Sequence, residues 1–109
     1  MGKKGAAAQP AASIPKPAQS VNVSHILCAR HGKALEALAR LDAGEPFASV
    51  ARECSEDKAR QGGALGWKTK ADLVGEFAEA AFSLAAGERS KSPVKTPFGY
   101  HIILVTDRQ

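Results

Sequence analysis

Two histidines, His25 and His101, stand inside the two most strand-like segments of the chain, 21–28 and 98–105. An imidazole in mid-strand is a two-ended hydrogen-bonding group, and two on adjacent strands can bond ring to ring as neutral species. Such a pair suits proton transfer or the ordering of a polar network, although either ring alone reads equally well as a satisfied structural group. His31, beside Gly32 at the start of a helix, reads as a surface residue. Nucleophilic and metal chemistry find less support. Cys28 and Cys54 make no C-x-x-C pair and no zinc spacing exists, so free thiols in a reducing compartment and no metal are expected. Gln61-Gly62-Gly63-Ala64-Leu65-Gly66-Trp67 permits tight turning and close backbone approach but lacks the Lys-Ser/Thr of a phosphate-binding loop, so no cofactor is expected. Phe98, Leu65, Leu73 and Phe77 can line a shallow apolar pocket beside the histidines, or serve as ordinary core.

The elements that must hold these residues follow from periodicity. In 21–28, Val21, Val23, His25 and Leu27 share one face of a strand and Ile26 and Cys28 the other, which predicts burial on both sides. Ala34, Leu35, Leu38 and Leu41 recur at helical spacing over 33–43, and Gly44 suits the stop. Phe47, Val50, Ala51 and Cys54 predict a second helix, with Pro46 suited to its first turn. Phe77, Ala80, Ala81 and Leu84 predict a third, closed by Gly87. Residues 64–68 read as a brief strand, 93–95 as an edge strand, 96–97 as a turn and 98–105 as a central strand. This order specifies an α+β domain with a small sheet.

Residues 1–20 contain three prolines and only Ile14 among Leu, Ile, Val and Phe, so they are expected to form a disordered tail ahead of a domain at 21–109. The tail carries Lys3, Lys4 and Lys16 and no acid, which accounts for +3 of the net charge of +4. The domain is thus nearly neutral. No stretch approaches the roughly 20 apolar residues of a membrane span, and the amino terminus lacks a secretory h-region, so a soluble intracellular protein without membrane contact is expected. Nothing in the pattern asks for a partner copy, and a monomer is expected.

Four motifs occur in an order that carries a resemblance. Ser24-His25-Ile26-Leu27, then Ser55-Glu56-Asp57 with Gly62-Gly63-Ala64-Leu65-Gly66, then Phe77-Ala78-Glu79-Ala80-Ala81-Phe82, and Phe98-Gly99-Tyr100-His101-Ile102-Ile103 together resemble the parvulin family of peptidyl-prolyl cis/trans isomerases. The stretch 56–63 further resembles the small eukaryotic parvulins of the fourteen-kilodalton type, whose tail is basic and disordered. The resemblance implies an FKBP-like superfold: a four-stranded antiparallel sheet surrounded by about four helices in the order β-α-α-α-β-α-β-β, with the histidine strands adjacent in the middle. It implies His25 and His101 as the paired histidines, Asp57 as the polar residue facing substrate and Thr96 as a hydroxyl in the same network. Leu65, Leu73 and Phe77 would form the proline pocket and Phe98 its rim.

The implied activity is rotation of X-Pro bonds in proteins by non-covalent stabilisation of the twisted amide. The phosphorylation-specific branch has cysteine at the position of Asp57 and a basic cluster after the first strand, where this chain has only Cys28-Ala29-Arg30-His31-Gly32-Lys33. No strong phosphoserine or phosphothreonine requirement is therefore implied. The fourteen-kilodalton type is also associated with the nucleus, DNA and preribosomal particles. The alternative implied role is a binding module for such particles, RNA or DNA through Lys3, Lys4 and Lys16, in the nucleus, nucleolus and cytoplasm, with weak or incidental catalysis. Three phosphate contacts give a salt slope of only about −3.

Overall fold

The computed structural model describes residues 17–58 and 61–109. Lys3, Lys4 and Lys16, and most of the tail at 1–20, lie outside the described residues. Of the tail residues that are described, Gln19 and Ser20 donate their backbone N–H groups to the carbonyl of Gln109 at 2.8 and 3.0 Å, beside the first strand.

The apolar alternation of 21–28 forms β1 (Val21–Cys28), and the sheet is completed by β2 (Ala64–Lys68), β3 (Val94–Thr96) and β4 (Gly99–Arg108). The strands are antiparallel in the order β2-β1-β4-β3, so the two histidine-bearing strands are the central pair. β4 continues beyond the expected end at 105, because β1 still offers Asn22 and Val21 as partners for Asp107 and Arg108. Thr96 pairs with Gly99, and Pro97 and Phe98 form the two-residue connection. Gly99 has φ +137, in the region that favours glycine.

Helices α1 (His31–Asp42) and α2 (Phe47–Cys54) cover one sheet face and α3 (Gly75–Phe82) covers the other. Ile26, Cys28 and Ile102 point to the first face and pack with Ala34, Ala37, Leu38, Val50 and Ala51. Val21, Val23, Ile103 and Val105 point to the second and pack with Phe77 and Ala81. This is period-2 alternation feeding two helix layers from one strand pair.

Several boundaries and faces differ from the sequence expectation. Leu35, assigned to the apolar stripe of α1, is 47% exposed, because the stripe follows Ala34, Ala37, Leu38 and Leu41 and Leu35 lies about 100° around the helix. Pro46 is the residue preceding α2, with φ −62 and ψ 140, so it opens the helix from outside the first turn. α3 stops at Phe82, where the Ser83 hydroxyl donates to the Ala80 carbonyl at 2.7 Å, and Leu84 packs against the core from beyond the helix. The third helical position between β1 and β2 is a single 3-10 turn, Gln61–Gly63, with Gly62 at φ +75. A second 3-10 turn, Lys70–Asp72, precedes α3. Among the described residues no helix is long and apolar enough to cross a membrane.

Candidate active site

Pairing register brings the histidines together. His25 of β1 lies opposite Ile103 and His101 of β4 opposite Leu27, so the two are diagonal neighbours on the face beneath α3. Their Nδ1 atoms are 3.0 Å apart, with 5.2 Å between ring centroids and 23° between ring planes, so the rings lie nearly coplanar and meet edge to edge. Thr96 of β3 stands diagonally from His101 in the same way, and its Oγ1 is 2.7 Å from His101 Nε2. Asp57 arrives from the loop after α2, with Oδ2 2.8 Å from His25 Nε2. That loop is fastened to β1. The Leu27 N–H donates to Ser55 Oγ at 3.0 Å, the Glu56 N–H to the Leu27 carbonyl at 2.7 Å, and the Asp57 N–H returns to Ser55 Oγ at 3.2 Å.

Proton positions follow from these partners. A carboxylate at Asp57 only accepts, so His25 Nε2 donates to it and, in a neutral ring, His25 Nδ1 accepts from His101 Nδ1–H. His101 Nε2 then accepts the Thr96 hydroxyl, whose oxygen takes the Phe98 N–H at 3.1 Å. With both rings neutral this is the one assignment that places a single proton in every contact. All four ring nitrogens are thereby occupied. His101 is 4% exposed, and burial together with the neighbouring His25 lowers its pKa from 6.5 to about 4 against the opposing pull of Asp57, so it stays neutral at physiological pH.

Above the pair lies an open cavity of about 180 Å³ lined by His25, Leu65, Asp72, Leu73, Val74, Phe77, Phe98 and His101. Phe77 presents its ring edge-on to both imidazoles, at 5.1 Å from His101 and 5.8 Å from His25. Phe98 stands 67% exposed at the rim. The Asp72 carboxylate accepts the backbone N–H and hydroxyl of Thr69 at 2.8 and 3.0 Å, and those two bonds hold it below the usual carboxylate range.

All eight residues singled out in the domain fall into one region, and they divide into two groups. His25, His101, Leu65, Leu73, Phe77 and Phe98 line the cavity. Asp57 and Thr96 do not; each reaches the cavity only through its histidine, so Asp57 is a support behind His25 rather than a residue of the cavity lining. Val74 and Asp72 were not anticipated. The Thr69-x-x-Asp72 spacing is the sequence trace of the capping box that places Asp72 there. Ser55, which in the sequence is only one residue of the Ser55-Glu56-Asp57 motif, is 2% exposed and carries two backbone bonds. His31 is exposed, as expected, with its ring 5.0 Å from that of Tyr100.

Comparison with known proteins gives a consistent result. Residues 11–109 match the family described as the PPIC-type PPIase domain. The sequence is 58% identical over 98 residues to the peptidyl-prolyl cis-trans isomerase PIN4 of Gibberella zeae, across 86% of this chain and 73% of that protein. Among solved structures, peptidylprolyl isomerase PrsA of Bacillus cereus superposes with a TM-score of 0.79 at 40% identity, covering 84% of this chain but only 36% of the longer PrsA chain. NmPin, the parvulin of Nitrosopumilus maritimus, superposes with a TM-score of 0.71 at 41% identity, covering 83% of this chain and 98% of its own.

Proposed function

The chain belongs to the PPIC-type parvulin family and is a peptidyl-prolyl cis-trans isomerase, and on that premise we propose that it turns X-Pro bonds by shape and fixed dipoles, without needing a phosphate before proline. Rotating an amide costs about 18–20 kcal/mol, whereas the two planar X-Pro states differ by only about 0.5–1 kcal/mol. No bond is broken, so the rate depends on binding the twisted amide better than either planar form. Leu65, Leu73 and Phe77 grip the pyrrolidine ring, while the carbonyl side turns over the rim near Phe98.

The histidines act as an ordered floor. Because each ring nitrogen is engaged, neither imidazole has a free N–H or lone pair for general acid–base work, and such work is not required. The chain of donors from the Phe98 amide through Thr96, His101 and His25 to Asp57 aligns the dipoles in one direction and fixes both rings under the cavity. Asp57 is its anchor and acts electrostatically.

The observation that carries phosphate independence is the cavity lining, in which, among the described residues, Asp72 is the one carboxylate and no lysine or arginine is present. A phosphoserine dianion beside that carboxylate would be repelled. Exchange NMR on paired Ser-Pro and phosphoSer-Pro peptides tests this. Turnover of the unmodified peptide at least equal to that of its phosphorylated partner is expected; turnover confined to the phosphopeptide would refute it. Asp57→Asn should lower kcat/KM by about tenfold, since one charge-assisted hydrogen bond is weakened.

A further inference from the structure

At the start of the loop that carries Asp57, Cys54 lies against Cys28 of β1. Cys54 ends α2 half-buried and lines an open cavity of about 300 Å³, together with Ser55, Glu56 and Lys58. Its Sγ accepts an N–H from Arg40 Nη1 at 3.3 Å, and that guanidinium is held in place by Glu45 at 2.7 Å and Glu53 at 3.1 Å. Cys28, at the end of β1, is fully buried and directs its S–H to the carbonyl of Cys54 at 3.7 Å. Burial first, then the charges of Glu56 and Cys54, push the Cys28 thiol up. One thiol is therefore solvent-reachable with a cation beside it, and the other is protonated, inaccessible and adjacent.

We propose that Cys54 and Cys28 are a hydroperoxide-sensitive thiol pair that closes into an intramolecular disulfide and loosens the hold of Asp57 on His25. The Cys54 thiolate attacks one peroxide oxygen, an S–O bond forms as the O–O bond breaks, and hydroxide leaves to be protonated as water. The Cys28 sulfur then attacks the Cys54 sulfenic acid. An S–S bond forms as the S–O bond breaks, and the departing hydroxide takes the Cys28 proton as a second water. Peroxide is thus reduced by two electrons and the two thiols are oxidised by two.

Linkage to the active site follows from chain connectivity. Cys54, Ser55, Glu56 and Asp57 are consecutive, and the segment lies on β1 through the Ser55 and Glu56 bonds to Leu27, the neighbour of Cys28. A disulfide drawing Cys54 toward Cys28 re-aims the segment whose far end meets His25. This effect on rate rests on the role of Asp57 proposed above, whereas the thiol chemistry does not.

The test is exposure of the full chain to hydrogen peroxide, followed by alkylation of remaining thiols and intact mass measurement in parallel with the isomerase assay. Expected is a monomeric species lighter by two hydrogens, carrying no alkyl group, with turnover reduced by about tenfold and restored by dithiothreitol. Cys54→Ser should keep its basal turnover and lose the peroxide response. Cys28→Ala should instead trap a dimedone-reactive sulfenic acid at Cys54. Two alkylated thiols after peroxide, a disulfide-linked dimer, or a response that persists in Cys54→Ser would overturn the thiol pair. An intramolecular disulfide with unchanged turnover would overturn the link to Asp57 while leaving the isomerase assignment intact.

Discussion

Acidifying the protein from pH 7.5 to 5.0 should cost it stability through His101. Its pKa is 6.5 when solvated and about 4 when folded, so the unfolded chain binds the extra proton first. For a depressed imidazole the contribution is fully present above the unfolded value and is lost as pH falls from about 6.5 through about 4. Between these limits the single-site linkage gives about 2 kcal/mol lost by pH 5 and about 3 kcal/mol by pH 4. The imidazole is buried, so solvent screening reduces this little. The Asp72 and Glu45 carboxyls, both held below their ordinary range, remain ionised at pH 5, which leaves the upper window to histidine. Urea unfolding at the two pH values, followed by the fluorescence of Trp67, the single tryptophan, reads the difference. His101→Gln removes the titrating group, and its own loss between the two conditions should be smaller by about 2 kcal/mol. The His101 ring proton should titrate below pH 5 in the native spectrum. Equal stability at both pH values, a gain on acidification, or an undiminished loss in His101→Gln would refute the assignment of a neutral His101.

Thr96→Val preserves shape but leaves His101 Nε2 and the Phe98 N–H without their partner, and should cost about 1–3 kcal/mol in thermal or urea unfolding. Gly63→Ala should be severe, because at φ +84 an added Cβ overlaps the carbonyl oxygen of His25 as well as incurring left-handed strain; Gly66→Ala, at φ +83 with open space around it, should cost only about 1–2 kcal/mol. A larger loss at Gly66 than at Gly63 in the same urea titration would contradict that ordering. Phe98→Ala should leave stability within about 0.5 kcal/mol while raising KM for X-Pro peptides, since the side chain is exposed at the cavity rim. A drop in melting temperature with unchanged KM would place Phe98 in the core instead.

Local periodicity dictates most of the faces and the main elements, although Leu35 turns outward and 61–63 closes into a single 3-10 turn. Alternation along 21–28 put His25 with Val21 and Val23 and opposite to Ile26, and helical spacing placed Val50, Ala51, Phe77 and Ala81 in their cores. These are local properties, fixed by backbone periods of two and 3.6. The motif order added the family, and with it the grouping of His25, His101, Thr96 and Asp57. How that group is wired follows from long-range pairing. Two diagonal steps in pairing register bring Thr96 to His101 across the local β3–β4 hairpin and His101 to His25, and the second step depends on hydrogen bonds between segments more than seventy residues apart. Asp57 takes its place because Ser55 and Glu56 satisfy the open edge of β1 at Leu27, a long-range backbone requirement with no period to announce it. The same folding of α2 onto β1 brings Cys54 to Cys28, whose separation of 26 residues in sequence gave no sign of contact.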